Sequence, residues 1–217
     1  DLGAAVAAAK LVGAQTVVSV DPMSLGILET PGALGVDIVV GEGQGLGCFP
    51  AFGGPLLGLF ACKKEYIRRI PGRIVGGSVD TSGRRAYTMT LRTREQDIRR
   101  DTATSNICTN QALFALAATV YLSVMGTQGF KQASTLCLQK SHYLAARLAD
   151  AGLPQRFSGP FFKEFVITCP APVVDINKAL LEKKIIGGLP LPGAPNDMLV
   201  CVTEQRTKEE LDSFVDV

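Results

Sequence analysis

Tryptophan is absent from the chain, and histidine occurs once, at His142. A lone histidine in a long helical pattern is a packed or exposed ring in the ordinary case, and it cannot build a multi-histidine metal site. The six cysteines, Cys48, Cys62, Cys108, Cys137, Cys169 and Cys201, show no CxxC spacing. Scattered among apolar neighbours, they read as reduced core residues of a cytoplasmic protein, and no metal is expected. Charge is sparse as well: charged residues make up 19% of the 217, with a net charge of +2. That is too little to argue for nucleic acid, and no Lys/Arg block is paired with aromatics. The longest nearly apolar run, Ala112 to Leu122, falls well short of the ~20 residues that a membrane helix needs. No signal peptide is visible. The 47% of apolar residues instead indicates a soluble globular chain with a sizeable core.

The most informative absence is local. No lysine occurs between Asp21 and the Gly53-Gly54-Pro55 turn. The same stretch holds Gly41-Glu42-Gly43-Gln44-Gly45-Leu46-Gly47, which tempts a dinucleotide reading. The GxGxxG fingerprint is not met, because Leu46 and Cys48 take the third-glycine places. Nor does a helix pattern follow, since Pro50 and Pro55 intervene.

What is present alternates. Leu2 to Val12 reads as an alanine-rich helix stopped by Gly13, and Asp1 falls directly at its start, so the chain is taken as a fragment or processed segment. Thr16 to Val20 is expected as a buried parallel strand ending at Asp21 and Pro22, Val36 to Val40 as a second and Leu56 to Cys62 as a third. In an open α/β sheet ligands bind beyond the carboxyl ends of strands, which puts Asp21 at a functional edge; a turn-forming Asp before Pro is the plainer reading. A basic helix from Lys63 to Ile70, with Lys63 and Lys64 as solvated charges, a polar loop from Gly76 to Gly83 and a half-buried strand from Arg85 to Leu91 follow. Thr93 to Gln111 is a mixed-charge strap leading through Ser105 and Asn106, good N-cap residues, into an apolar helix. Leu113, Leu116, Ala117, Val120, Tyr121 and Val124 are its expected core face, and Gly126 its stop. A second helix is expected from about Phe130 to Ala151, then a strand (Glu164 to Thr168), a helix (Val174 to Lys184), a Gly/Pro-rich loop (Gly187 to Pro195) and a strand (Met198 to Thr203). Thr207 begins the last helix with a capping box that uses Glu210.

The strap reads TREQ-x-IRR-x-x-ATSNICTNQAL, and together with DIVVGEGQ (37–44), PGRIVG (71–76) and SGRR (82–85) it closely resembles the glycine decarboxylase family, the P-protein of the glycine cleavage system, in its subunit 1 (alpha-type) half. The likeness runs from about Val17 to the end. Asp97 stands where the family usually has His, Thr102 where it has Lys, and Ala51 where it has Ser. The resemblance implies a fold type I pyridoxal-phosphate (PLP) transferase-like α/β architecture. Residues 1–92 would be the C-terminal part of a large domain, 93–128 a junction strap with its connecting helix, and 129–217 a small α/β domain. It also implies further chain upstream that carries the first strands of the large-domain sheet.

In such a fold an Asp at a strand end pairs with the pyridine nitrogen, and a Lys farther on forms the Schiff base. Asp21 suits the first role. Gln44 stands at about the Lys position, before the Gly53-Gly54 turn, and an amide cannot condense with an aldehyde. The family therefore implies a chain inactive alone, a degenerate copy that pairs with a PLP-bearing subunit 2. The complex would decarboxylate glycine and pass the aminomethyl group to the lipoyl arm of H-protein. Arg94, Arg99 and Arg100, with Asn106, would lie at the interface or substrate side, where guanidinium groups suit carboxylate or phosphate; ion pairing with Glu95 and Asp101 is the open alternative. A free-standing PLP-dependent transferase or lyase, and a non-enzymatic scaffold, are the competing functions.

Overall fold

The computed structural model describes residues 1–50, 53–70, 74–91, 101 and 111–217. They form two compact units, residues 1–22 with 29–121, and residues 23–28 with 122–217.

The first unit opens with α1 (Leu2–Leu11), whose alanines favour helix and whose first turn is capped by Asp1 Oδ1, 3.0 Å from Ala4 N. Three short strands follow: β1 (Val17–Val20), β2 (Ile38–Glu42) and β3 (Gly58–Cys62), side by side in that order. β1 and β2 run parallel, with Val20 opposite Gly41. β3 runs antiparallel to β2, with Glu42 opposite Gly58 and Ile38 opposite Cys62. The sheet is therefore mixed, and the α/β class expected from the sequence holds. The strands are less buried than their apolar runs imply: β1 and β3 are the outer strands of three, and Val17 and Phe60 remain exposed. The helix expected from Lys63 to Ile70 shortens to a 3-10 turn, Lys64–Tyr66, with no side-chain cap at its start.

The polar loop expected at Gly76 to Gly83 is instead a strand, β4 (Ile74–Val79), paired antiparallel with β5 (Arg85–Thr90). Its two central glycines hid the strand from a pattern reading. The turn is built on Asp80, whose Oδ1 accepts from Ser82 N and Arg84 N at 2.8 and 2.9 Å. Val75, Val79, Tyr87 and Met89 leave an apolar side of this hairpin exposed.

Helix α2 (Ala112–Asp150) enters both units and is broken at Gly126, whose φ of 59° and ψ of −178° are non-helical. The expected stop at Gly126 is therefore present. The expected core face is not: Leu113, Leu116 and Val120 are 71, 59 and 55% exposed. A helical period marks one apolar side without saying what covers it. By length and composition α2 could cross a membrane. Among the described residues the break leaves Ala112 to Met125 before it, roughly 21 Å of helix against the ~30 Å of a bilayer core, and the part after it carries Lys131, Lys140 and Arg147.

That later part forms the second unit's core. Leu144, Ala145 and Leu148 pack with Phe165 and Ile167 of β6 (Glu164–Thr168) and with Val173 and Leu180 of α3 (Val173–Glu182). Met198 and Val200 of β8 (Ala194–Cys201) and Leu211 of α4 (Lys208–Val215) complete the cluster. β8 is central, flanked by β6 and by β7 (Leu189–Leu191). β7 lies inside the expected Gly/Pro-rich loop, where Pro190 masked it; proline is tolerated on such an edge strand. The capping box at Thr207 and Glu210 is formed in both directions.

Candidate functional site

The register of the first sheet decides which residues share an edge. Asp21 follows Val20 at the carboxyl end of β1, and Gln44 follows Glu42 just past the carboxyl end of β2. Because β3 runs the other way, the segment after Gly53 and Gly54 enters it at this same edge. Asp21, Gln44, Gly53 and Gly54 are thus brought to the carboxyl edge of β1 and β2, where ligands of open α/β sheets bind. Arg94, Arg99, Arg100 and Asn106 lie outside the described residues.

Gly41 in β2 and Gly43 and Gly47 in the loop after it serve packing. A Cβ at Gly41 would lie 2.6 Å from Val20 O, one at Gly43 2.9 Å from Leu57 Cδ2, and one at Gly47 2.7 Å from Tyr121 Cβ. Cys48 N donates to Gln44 O at 3.0 Å, closing a turn where a phosphate-binding helix would otherwise begin. The loop is a close-packed corner, in line with the failed dinucleotide fingerprint.

The next lysine lies at the opposite edge. Lys63 follows the end of β3 and meets Asp37, which precedes β2. Lys63 Nζ stands 2.5 Å from Asp37 Oδ1, while Asp37 Oδ2 accepts from Thr16 N at 2.8 Å and from Thr16 Oγ1 at 3.0 Å. The Lys63 ammonium, then Thr16, hold the Asp37 carboxyl down at about 2, and Asp37 raises the Lys63 ammonium in return. Lys63 is therefore a structural clamp rather than a solvated charge, and the length of β3, roughly 16 Å, separates it from Gln44. Neither this cluster nor Glu42, which bonds both loop segments, is visible as a motif in the sequence. An acid directly before Ile38-Val39-Val40 and another after the intervening Gly41 were the only signals.

The edge can offer a carboxylate to a pyridinium nitrogen, but it has no amine to hold an aldehyde. Covalent PLP does not fit it. Among the described residues no three His, Cys, Asp or Glu gather as metal ligands. In the second unit His142 is exposed, with its ring stacked on Phe161 at 4.1 Å between ring centres. Cys137, fully buried and donating to Glu204 Oε2 at 3.3 Å, is pushed up to about 11 by burial and then by that carboxylate, which leaves an inert thiol. A groove of about 630 Å³ beside Lys184, Val200, Arg206 and Phe214 contains none of the expected site residues.

Comparison with known proteins gives this arrangement its context. The whole chain, residues 1–217, matches the family model described as the glycine cleavage system P-protein. It is 52% identical to the "Probable glycine dehydrogenase (decarboxylating) subunit 1" of Thermomicrobium roseum over 100% of the chain and 49% of that protein. It is 56% identical to the protein so described from Desulforamulus reducens, over 98% of the chain and 49% of that protein. The chain thus spans about half the length of these relatives. The crystal structure of a glycine decarboxylase (P-protein) of the glycine cleavage system, in inhibitor-bound form, superposes with a TM-score of 0.94 at 40% identity, covering 100% of this chain and 50% of that one. An alanine–glyoxylate aminotransferase from Nostoc, at TM-score 0.64 and 18% identity over 100% of this chain and 56% of that one, shares the fold alone. With one family matched from end to end and a fold shared with PLP-dependent enzymes, the chain belongs to the glycine cleavage system P-protein family.

Proposed function

We propose that the chain is part of subunit 1 of glycine decarboxylase and acts as the non-catalytic partner of a PLP-bearing subunit 2. The observation that carries this reading is the carboxyl edge of the first sheet, where Gln44 stands at about the lysine position and the next lysine, Lys63, is engaged by Asp37 across the sheet. Asp21, Gln44, Gly53 and Gly54 are then the degenerate remains of a cofactor site. PLP is held by the partner, and it supplies the electron sink for loss of carbon dioxide from glycine. The aminomethyl group passes to the lipoyl arm of H-protein. Arg94, Arg99, Arg100 and Asn106 serve the interface or the substrate side, and the setting is cytoplasmic. Residues 1–92 are read as large domain, 93–128 as junction and 129–217 as small domain.

The test is co-expression of full-length subunit 1 with a candidate subunit 2, followed by glycine decarboxylation with H-protein and borohydride reduction in the presence of PLP. The reading requires turnover by the pair only, and a reduced adduct on the partner. A stoichiometric adduct on one lysine of this chain would make it a free-standing PLP enzyme. Assembly without turnover would make it a scaffold.

A further inference from the structure

Glu42 ends β2, and one oxygen of its carboxylate serves two segments of chain. Oε1 accepts from Gln44 N at 3.1 Å and from Leu57 N at 2.9 Å. Beside it, Gly43 N donates to Leu57 O at 2.6 Å. The β2–β3 ladder ends at Glu42 opposite Gly58, so the turn that carries Gln44 and the segment that follows Gly53, Gly54 and Pro55 lie beyond strand pairing. These three bonds tie them together. An ionised acceptor makes the stronger kind of hydrogen bond to a backbone N–H. A side chain without an acceptor would leave both donors to find other partners.

We propose that Glu42 is a positioning residue: its carboxylate locks the Gln44 turn and the Gly53–Leu57 segment into one arrangement at the carboxyl edge of the sheet, and the assembled enzyme requires that arrangement. The proposal rests on the reading of this edge as the degenerate counterpart of a cofactor site within a glycine decarboxylase complex. It goes beyond that reading by naming the group that shapes the edge. Gln44 has no amine chemistry of its own, so what the edge contributes is its form, which the close packing of Gly43 and Gly47 and the Glu42 carboxylate fix together.

The experiment compares Glu42→Ala and Glu42→Gln in the assembled complex of full-length subunit 1 with its partner. Three quantities are read: backbone amide exchange at Gln44 and Leu57, kcat and KM for glycine, and the fraction assembled. Glu42→Ala should speed exchange at both amides and lower kcat by about tenfold or more, as expected when charge-assisted hydrogen bonds are lost. Glu42→Gln keeps a carbonyl acceptor in place and should recover both to within roughly threefold, the difference between a neutral and an ionised acceptor. Unchanged exchange in Glu42→Ala overturns the clamp. Faster exchange with unchanged kcat and KM makes Glu42 a stabilising residue only and overturns the positioning role. If Glu42→Ala does not assemble, Glu42→Gln decides: it must assemble with exchange and turnover within roughly threefold of the wild type, and a Glu42→Gln chain that also fails to assemble or to turn over overturns the proposal. A wild-type complex that assembles but does not decarboxylate glycine overturns the proposed function instead. Glu42 is then judged on exchange and assembly, and the proposal fails unless Glu42→Ala changes both.

Discussion

Lys63 Nζ lies 2.5 Å from Asp37 Oδ1, and this pair joins the amino end of β2 to the carboxyl end of β3 at the edge opposite Gln44. Thr16 adds two hydrogen bonds from the amino side of β1 to the same carboxylate. One acid thus ties all three strands of the sheet together.

Acid should therefore loosen the first sheet through Asp37. Its carboxyl lies at about 2 in the folded protein, below the ordinary 3.8, because Lys63 and Thr16 bond its ionised form. A depressed carboxyl contributes stability that is fully present above the ordinary value and is lost as pH falls through the folded one. Asp37→Asn should melt well below the wild type at pH 6, and the gap should close between pH 4 and pH 2. Lys63→Met should narrow the same gap, since Lys63 is the first cause of the depression. Melting followed across that window checks both; a gap independent of pH would contradict the assignment.

Packing of the glycine loop gives a prediction with a built-in control. Gly47 has a φ of +84°, and a Cβ there would meet Tyr121 Cβ at 2.7 Å; Gly53 has a φ of +111° with nothing within 4 Å. Gly53→Ala should cost about 1–3 kcal/mol from backbone strain alone. Gly47→Ala should cost about 1–3 kcal/mol more from the overlap. Adding Tyr121→Ala removes the overlaps with Cγ and Cδ2 at 2.8 and 2.9 Å but keeps the one with Cβ, so it should recover only part of the Gly47→Ala loss and none of the Gly53→Ala loss. Urea unfolding of the single and double variants measures the coupling.

Local chemistry was legible in the sequence, and pairing between distant segments was not. The capping box at Thr207, the helix break at Gly126 and the strand Glu164–Thr168 are each specified by a few neighbouring residues. β4 was missed because Gly76 and Gly77 have no side chains to show alternation, and β7 because Pro190 reads as loop. The direction of β3 depends on what lies beside it, which no single-strand pattern encodes. At the site, Asp21 was legible as a strand-end residue and Gln44 through the family resemblance, and the lack of lysine was plain. Which edge Lys63 occupied could not be read without the antiparallel turn of β3, and Glu42 bonds a residue far along the chain.

The apolar stripe of α2 should be measurable in the isolated chain. Leu113, Leu116 and Val120 are exposed, whereas Leu148 in the second unit is 1% exposed. Leu148→Ala should cost about 2–5 kcal/mol, the range for a large-to-small core change. Replacing Leu113, Leu116 and Val120 with Gln should alter stability by less than about 0.5 kcal/mol each, as surface changes do. Together the three should sharply reduce binding of an apolar-surface dye. Melting losses at the stripe as large as that at Leu148 would mean that these side chains are buried in the isolated chain.

The arginines of the strap separate two readings by magnitude. If Arg94, Arg99 and Arg100 act at the subunit interface near the partner's active site, replacing each with Ala should weaken assembly or glycine turnover while the subunit melts as before. If they only tie the strap to its own unit through Glu95 or Asp101, stability should fall and the surviving folded protein should assemble and turn over normally. Truncating an exposed charge changes stability by less than about 1 kcal/mol. Breaking a buried pair costs about 3–5 kcal/mol, because it strands the partner charge. Each Arg→Ala variant of full-length subunit 1 is to be measured for melting, assembly with the partner and decarboxylation in the same preparation. The interface reading requires lost assembly or activity at unchanged melting temperature in at least one of the three. Three variants that melt low yet assemble and turn over normally would make the arginines structural and remove the strap from the functional surface.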